Sequence, residues 1–158
     1  MQGLPILSIM TFFPLLGAVL IMLVRAATSG QSEKGKESRA ALQTGLFITV
    51  ATFLASVFVL LNFDVDASGY QMVEDVSWFS NVRYKVGVDG LSILLIMLTT
   101  ILMPLCILAS WTSIKERVTE YVVAFLILET MMLGVFCALD LVLFYFFFEA
   151  GLLSLIHI

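Results

Sequence analysis

Glu129 and Glu149 each stand inside a long apolar stretch of the chain. An ionisable side chain at the centre of a bilayer costs about 2.5–3.5 kcal/mol on insertion scales and more in simulations. Such a residue persists in a membrane segment when it faces protein or water, and it then marks an ion or proton path. A carboxyl at that depth has two options. It stays protonated because desolvation disfavours the charge, or it ionises beside a cation or water. A group that passes between these states takes up and releases a proton, which is the chemistry of a proton-translocating site. Tyr145 lies one turn before Glu149, within hydrogen-bonding reach on the same helix face. A structural reading stays open beside this one, in which neutral acids hydrogen-bond a neighbouring helix and only hold the bundle together.

Other polar residues carry less. Asp89 precedes Gly90 at the start of an apolar stretch, where an acid stabilises a helix N-terminus. Ser92 and Thr99 are seven residues apart on one face of that stretch. Such hydroxyls mostly bond their own preceding turn, with a water path as the lesser alternative. Asp140 sits at a turn, in a solvated or capping position. Cys106 and Cys137 match no zinc or iron–sulfur spacing and read as small buried hydrophobes. His157 is the only histidine, so no multi-histidine metal site is expected. The chain contains no glycine-rich dinucleotide loop, P-loop, HExxH or CxxC motif. No cofactor and no metal is therefore expected in it.

The 158 residues are 61% hydrophobic and 13% charged, with a net charge of −4 and a mean hydropathy of +1.07. Soluble domains run near 45–50% apolar and about 25% charged. An integral membrane protein in a lipid bilayer is expected, and the lack of a basic patch argues against nucleic-acid binding. Met1–Ile9 has no positive region or clear cleavage site, so it does not read as a secretory signal.

Five stretches approach the roughly 17–25 apolar residues that a helical span needs. They are residues 4–24, containing Pro14, 42–61, 91–111, 121–139 and 141–158. An all-α membrane bundle of five transmembrane helices is expected. Arg25–Ala41 is rich in Ser, Gly and charge and reads as a flexible link. In the 62–90 loop, Val82, Tyr84, Val86 and Val88 alternate with Asn81, Arg83, Lys85 and Gly87, which predicts a strand. Ser80 and Asn81 are turn residues, so a small hairpin with 72–79 is expected. Six of the eight basic residues fall in loops 25–41 and 112–120. The positive-inside rule puts those loops in the cytoplasm, with the N-terminus and the hairpin loop outside. Glu129 and Glu149 are each eight residues into their spans, about 12 Å of rise from opposite ends. In a core about 30 Å thick both fall near mid-depth, and they are neighbours if the two helices pack along the right faces.

The run VGVDGLSILLIMLTTILMPLCILASW at 86–111, followed by EYVVAFLILETMMLGVFCALDLVLFYFFFEAGL at 120–152, resembles a known family. This family is the antiporter-like membrane subunits M, or chain 4, of proton-pumping NADH:quinone oxidoreductase, respiratory complex I. The carrying motifs are DGLS at 89–92, LILE at 126–129, LDLVLFY at 139–145 and FEA at 148–150, with Trp78 and Phe79 in accord. The resemblance implies an antiporter-like helical bundle that translocates protons coupled to quinone reduction elsewhere in the complex. It implies that Glu149 is the essential glutamate of the fifth helix and Glu129 a second acidic position on the fourth. It also implies that flavin, iron–sulfur clusters and NADH are bound by other subunits, which would be this chain's partners.

Family chains are much longer, and their glutamate pairs with a lysine on a later, broken helix. No Lys or Arg here lies inside a span. The chain therefore reads as an N-terminal fragment that would not pump alone. A bacterial inner membrane is expected, ahead of a mitochondrial inner membrane. Two alternatives stand: a cation/proton antiporter or membrane hydrogenase subunit of the same family, and a small five-span structural or assembly protein.

Overall fold

In a computed structural model, residues 5–28, 34–66, 69–79, 82–114 and 116–157 are described. The elements in chain order are α1 (Ile6–Thr28), α2 (Lys34–Leu61), β1 (Gln71–Phe79), β2 (Val82–Val88), α3 (Gly90–Ser113), α4 (Val118–Cys137) and α5 (Leu141–His157). The chain is an all-α membrane bundle with one hairpin. Among the described residues four helices are long and apolar enough to cross a membrane. The apolar part of α5, Leu141–Ile156, is shorter than these four.

Helices are the form expected here, because lipid offers no partner for a backbone amide and a helix satisfies its own. The same requirement carries α1 through Pro14 and α3 through Pro104. The expected flexible link at 25–41 is corrected by the structure at both of its ends, residues 29–33 lying outside the described residues. Helix α1 continues through Arg25 to Thr28, and α2 is already helical from Lys34. Apolar composition delimits a span, but good helix formers such as Ala26, Ala27, Lys34 and Ala40 extend the helix into the polar region. At the other end α4 stops at Cys137, two residues before the apolar run does.

The reason lies in the hairpin. Strands β1 and β2 pair antiparallel, with Glu74 opposite Val86 and Val76 opposite Tyr84. The register shifts between Gln71 and Glu74, and Met72 takes a left-handed backbone there. The turn residues Ser80 and Asn81 lie outside the described residues. Val86 and Val88 are buried, whereas Arg83 is exposed and pairs with Asp75 at 3.2 Å. Strand β2 then bridges to Ala138, and the Leu139 amide donates to the Lys85 carbonyl at 2.9 Å. Ala138 and Leu139 thus leave the helix to pair with the hairpin.

The hairpin also holds α1. Glu74 accepts the Leu7 amide at 2.9 Å and the Ser8 amide at 3.3 Å, and the Ser8 hydroxyl donates to it as well. The Ser8 and Tyr84 hydroxyls are 2.8 Å apart. Burial pushes the Tyr84 phenol above its ordinary value, against the opposing Ser8 hydrogen bond. A carboxylate on the first free amides of a helix compensates both the unpaired donors and the dipole.

Close packing joins the helices. A Cβ built on Gly45 of α2 would lie 2.4 Å from Val122 of α4, and one on Gly134 of α4 would lie 2.5 Å from the Phe147 ring of α5. Small residues of this kind let helix backbones approach where dispersion replaces the hydrophobic effect. At the end opposite the hairpin, Arg25 pairs with Glu120 at 3.1 Å.

Two changes test these joints in the full-length protein. Glu74→Ala removes charge-assisted bonds to the α1 amides and is expected to lower stability by about 1.5–3 kcal/mol, read by thermal unfolding in detergent. Retention of full stability would show that the hairpin does not hold α1. Asp89 caps α3, accepting the Ser92 amide at 2.7 Å. The Ser92 backbone and side-chain hydrogen bonds hold its carboxyl below the ordinary 3.8. Its contribution is therefore complete above that value and is lost as pH falls through the lowered one. Asp89→Ala is expected to cost about 1 kcal/mol at neutral pH. Asp89→Asn is expected to keep most of the cap and to flatten the acid limb of the stability profile.

Candidate functional site

Glu129 is 0% exposed, and among the described residues neither of its carboxyl oxygens has a hydrogen-bond partner. Leaving a polar group in that condition costs free energy, and an unpaired carboxylate costs far more than the neutral acid. The face that Glu129 occupies follows from residues around it. Val122 of α4 meets Gly45 of α2. Seven residues are close to two turns, so Glu129 lies on the same stripe, two turns nearer the hairpin end. Leu126 and Leu133, also fully buried, complete that stripe. On the other flank the Tyr121 hydroxyl meets Ser110 of α3 at 2.7 Å. Glu129 thus points into the seam between α2 and α3.

The α5 side of α4 is the opposite one. Gly134 meets Phe147, Gly151 meets Met131, and the Ser154 hydroxyl donates to the Ala124 carbonyl at 3.1 Å. This antiparallel register brings Glu129 level with about residue 152 and Glu149 level with about residue 132. The two acids are then separated by only about 4.5 Å along the axis, three residues of rise. They share a depth but not a face. On a helix, Glu129 diverges from the α5-facing residues Met131 and Gly134 by about 160° and about 140° at 100° per residue. The structure does not bring the two carboxyls together.

Glu149 is half-buried, on a helix whose outer face is Tyr145, Phe146, Phe148 and Leu152. Tyr145 is 61% exposed and its side chain interacts with that of Glu149. Thr99 is buried and donates to the Leu95 carbonyl at 2.9 Å, as a hydroxyl bonding its own preceding turn. It stands eleven residues before Ser110, three turns on the same face, and so belongs to the α4-facing stripe of α3. Asp89 and Ser92 are joined in the α3 cap. Ser92 is about 12 Å of rise nearer the hairpin end than Thr100.

Several further hydroxyls are buried between α2 and α3. Thr49, Thr52 and Ser56 of α2 and Thr100 of α3 are at most 1% exposed. Ser56 and Thr100 are 2.8 Å apart across the two helices. The signal was present in the spacing of Gly45, Thr49, Thr52 and Ser56, one polar stripe in an otherwise apolar span. Among the described residues no three His, Cys, Asp or Glu side chains cluster closely enough to hold a metal ion. A groove of about 440 Å³ runs between α1, α4 and α5, lined by residues including Met22, Arg25, Glu120, Ala150 and Ser154, and neither Glu129 nor Glu149 lines it.

Comparison with known proteins gives these helices a context. Residues 10–139 match the family described as NADH-ubiquinone oxidoreductase chain 4, amino terminus. NADH-quinone oxidoreductase subunit M of Rhodobacter capsulatus is 48% identical over 150 residues, 95% of this chain and 28% of that protein. NADH-ubiquinone oxidoreductase chain 4 of Marchantia polymorpha is 37% identical over 94% of this chain and 29% of that protein. Subunit M of Rickettsia conorii is 36% identical over 98% of this chain and 31% of that protein. The chain spans less than a third of the length of these relatives. With its apolar bundle and the match across most of its length, the chain belongs to the NADH-ubiquinone oxidoreductase chain 4 family, in the amino-terminal region of that family.

Proposed function

We propose that this chain is the amino-terminal region of a proton-translocating membrane subunit of NADH:quinone oxidoreductase, with Glu149 as proton acceptor and Glu129 as a relay. The observation that carries the proposal is the Glu129 carboxyl, fully buried and without a partner among the described residues. A neutral acid serving only to join helices would be hydrogen-bonded, because an unsatisfied buried group weakens a bundle. Among the described residues no cation or donor holds Glu129 in one protonation state.

Glu149 supports the reading differently. It lies at the same depth as Glu129 but opens outward beside Tyr145. This is the face on which a lysine from the rest of the protein would meet it, as the family resemblance implies. Tyr145 would orient the carboxyl, and Thr99 would supply a hydroxyl on the α4-facing side of α3. Asp89 and Ser92 act farther off, by fixing the start of α3. Redox chemistry belongs to other subunits of the complex, which are the proposed partners.

The proposed location is a bacterial inner membrane, with the basic residues of the 25–41 and 112–120 segments in the cytoplasm and the hairpin outside. The Arg25–Glu120 pair would then lie at the cytoplasmic face.

The test is made in the assembled complex in inverted membrane vesicles. Glu149→Gln is expected to slow proton translocation about 10²-fold, the contribution of a positioned proton-transfer group. Glu129→Gln is expected to act in the same direction, with the complex still assembled. Undiminished pumping at normal electron flow in Glu149→Gln would overturn the assignment.

A further inference from the structure

We infer that Ser56 and Thr100 are positioning residues for Glu129, forming with it a proton-holding site at the α2–α3–α4 seam that is separate from Glu149. The inference rests on the proton-translocating reading and adds residues to it.

Three observations meet at this place. Glu129 is completely buried, unpartnered among the described residues, and on the α4 stripe that faces α2 and α3. Ser56 and Thr100, each 0% exposed, join α2 to α3 through hydroxyls 2.8 Å apart. The register brings them to one level. Gly45 of α2 meets Val122 of α4 and runs parallel to it, so seven residues on, Glu129 comes level with Thr52, one turn from Ser56. Ser110 of α3 meets Tyr121 of α4 in antiparallel sense, so Glu129 comes level with about residue 102, half a turn from Thr100. In this structure neither Glu129 oxygen bonds either hydroxyl, and a change of Glu129 rotamer is the movement that would close offsets of this size.

The chemistry favours hydroxyls over other partners. A lysine would hold the carboxyl ionised, and a backbone carbonyl would hold it protonated. A hydroxyl accepts from a carboxylic acid and donates to a carboxylate, so it serves both states without fixing either. Ser56 and Thr100 also have backbone acceptors in reach, Phe53 at 2.7 Å and Ile96 at 3.0 Å. Their hydrogens can therefore redistribute among the backbone, each other and Glu129 while every hydroxyl stays satisfied. Rearrangement among these partners changes hydrogen bonds only. Glu129 keeps its proton while its carboxyl donates to the pair; when its O–H bond breaks, the proton passes to the next carrier of the proposed relay and the carboxylate accepts from the pair.

Infrared difference spectroscopy of the whole complex during turnover tests this. The carboxyl stretching band lost in Glu129→Gln identifies Glu129. In the Ser56→Ala/Thr100→Val double variant that band is expected to move to higher frequency, as a carboxyl freed of its hydrogen bond does. Proton translocation is expected to fall about five- to tenfold, the effect of one lost hydrogen bond. Ser56→Thr/Thr100→Ser, which keeps both hydroxyls, is expected to restore band and rate. A Glu129 band that stays in place in the double variant would overturn the inference. A band that moves, in a complex whose pumping survives Glu149→Gln, would leave this site standing and remove the pumping role assigned to Glu149.

Discussion

In a medium without water each polar group of the chain must find its partner inside the protein. The fold follows that constraint residue by residue. Backbone amides are satisfied within helices, and the one sheet sits at an end of the bundle. Thr52, Thr99, Thr100, Ser110 and Thr130 each donate to a carbonyl four residues earlier, so that they enter the apolar interior without a free hydrogen. Against this background Glu129 departs from the rule. Its two oxygens are the buried side-chain atoms without a partner among the described residues. Stability alone would select against such a group, since an apolar residue of similar size would fill the seam at no desolvation cost. The proposed role in proton transfer would account for a carboxyl kept there.

The same constraint explains why the hairpin matters to a site that it does not touch. Helix ends expose unpaired amides and carbonyls. Glu74 and Tyr84 take up the start of α1, and the Lys85 carbonyl takes up Leu139 in the α4–α5 connection. Three elements are thus tied to one two-stranded sheet. With α1 and the α4–α5 turn fixed at that end, the registers that set the depths of Glu129 and Glu149 have little freedom to slide. A relay between groups on different helices needs such fixed registers, because proton transfer falls away once the atoms leave hydrogen-bonding distance.

Much of the fold was legible in the sequence. Five apolar stretches announced the helices, and the alternation from Val82 to Val88 announced the strand, because period and hydropathy are local properties. The similar level of the two acids was legible too, since helix rise converts sequence position into distance along the helix. The helix ends were less so. Lys34–Ala41 is helical although polar, and Ala138 and Leu139 are not helical although apolar, since pairing with Lys85 and Val86 decides the second case. Least legible was the facing of side chains. Two acids at one depth on adjacent antiparallel helices suggested a pair. Only the contacts of Val122, Tyr121 and Gly134 reveal that Glu129 turns away from α5.

That separation changes how two acids at one depth are to be understood. Had they met, each would have raised the cost of ionising the other, and they would have titrated as one coupled unit. Facing opposite ways, with the body of α4 between them, they have different environments: a fully buried seam for Glu129, and an open flank with Tyr145 for Glu149. In the proposed relay, groups at one level on opposite sides of one helix would pass a proton along the membrane plane. The helix between them must then be bypassed, through side chains or through water entering the seam. Thr130, buried next to Glu129 and bonded only to its own backbone at 3.1 Å, is a polar group on α4 that such a bypass would pass.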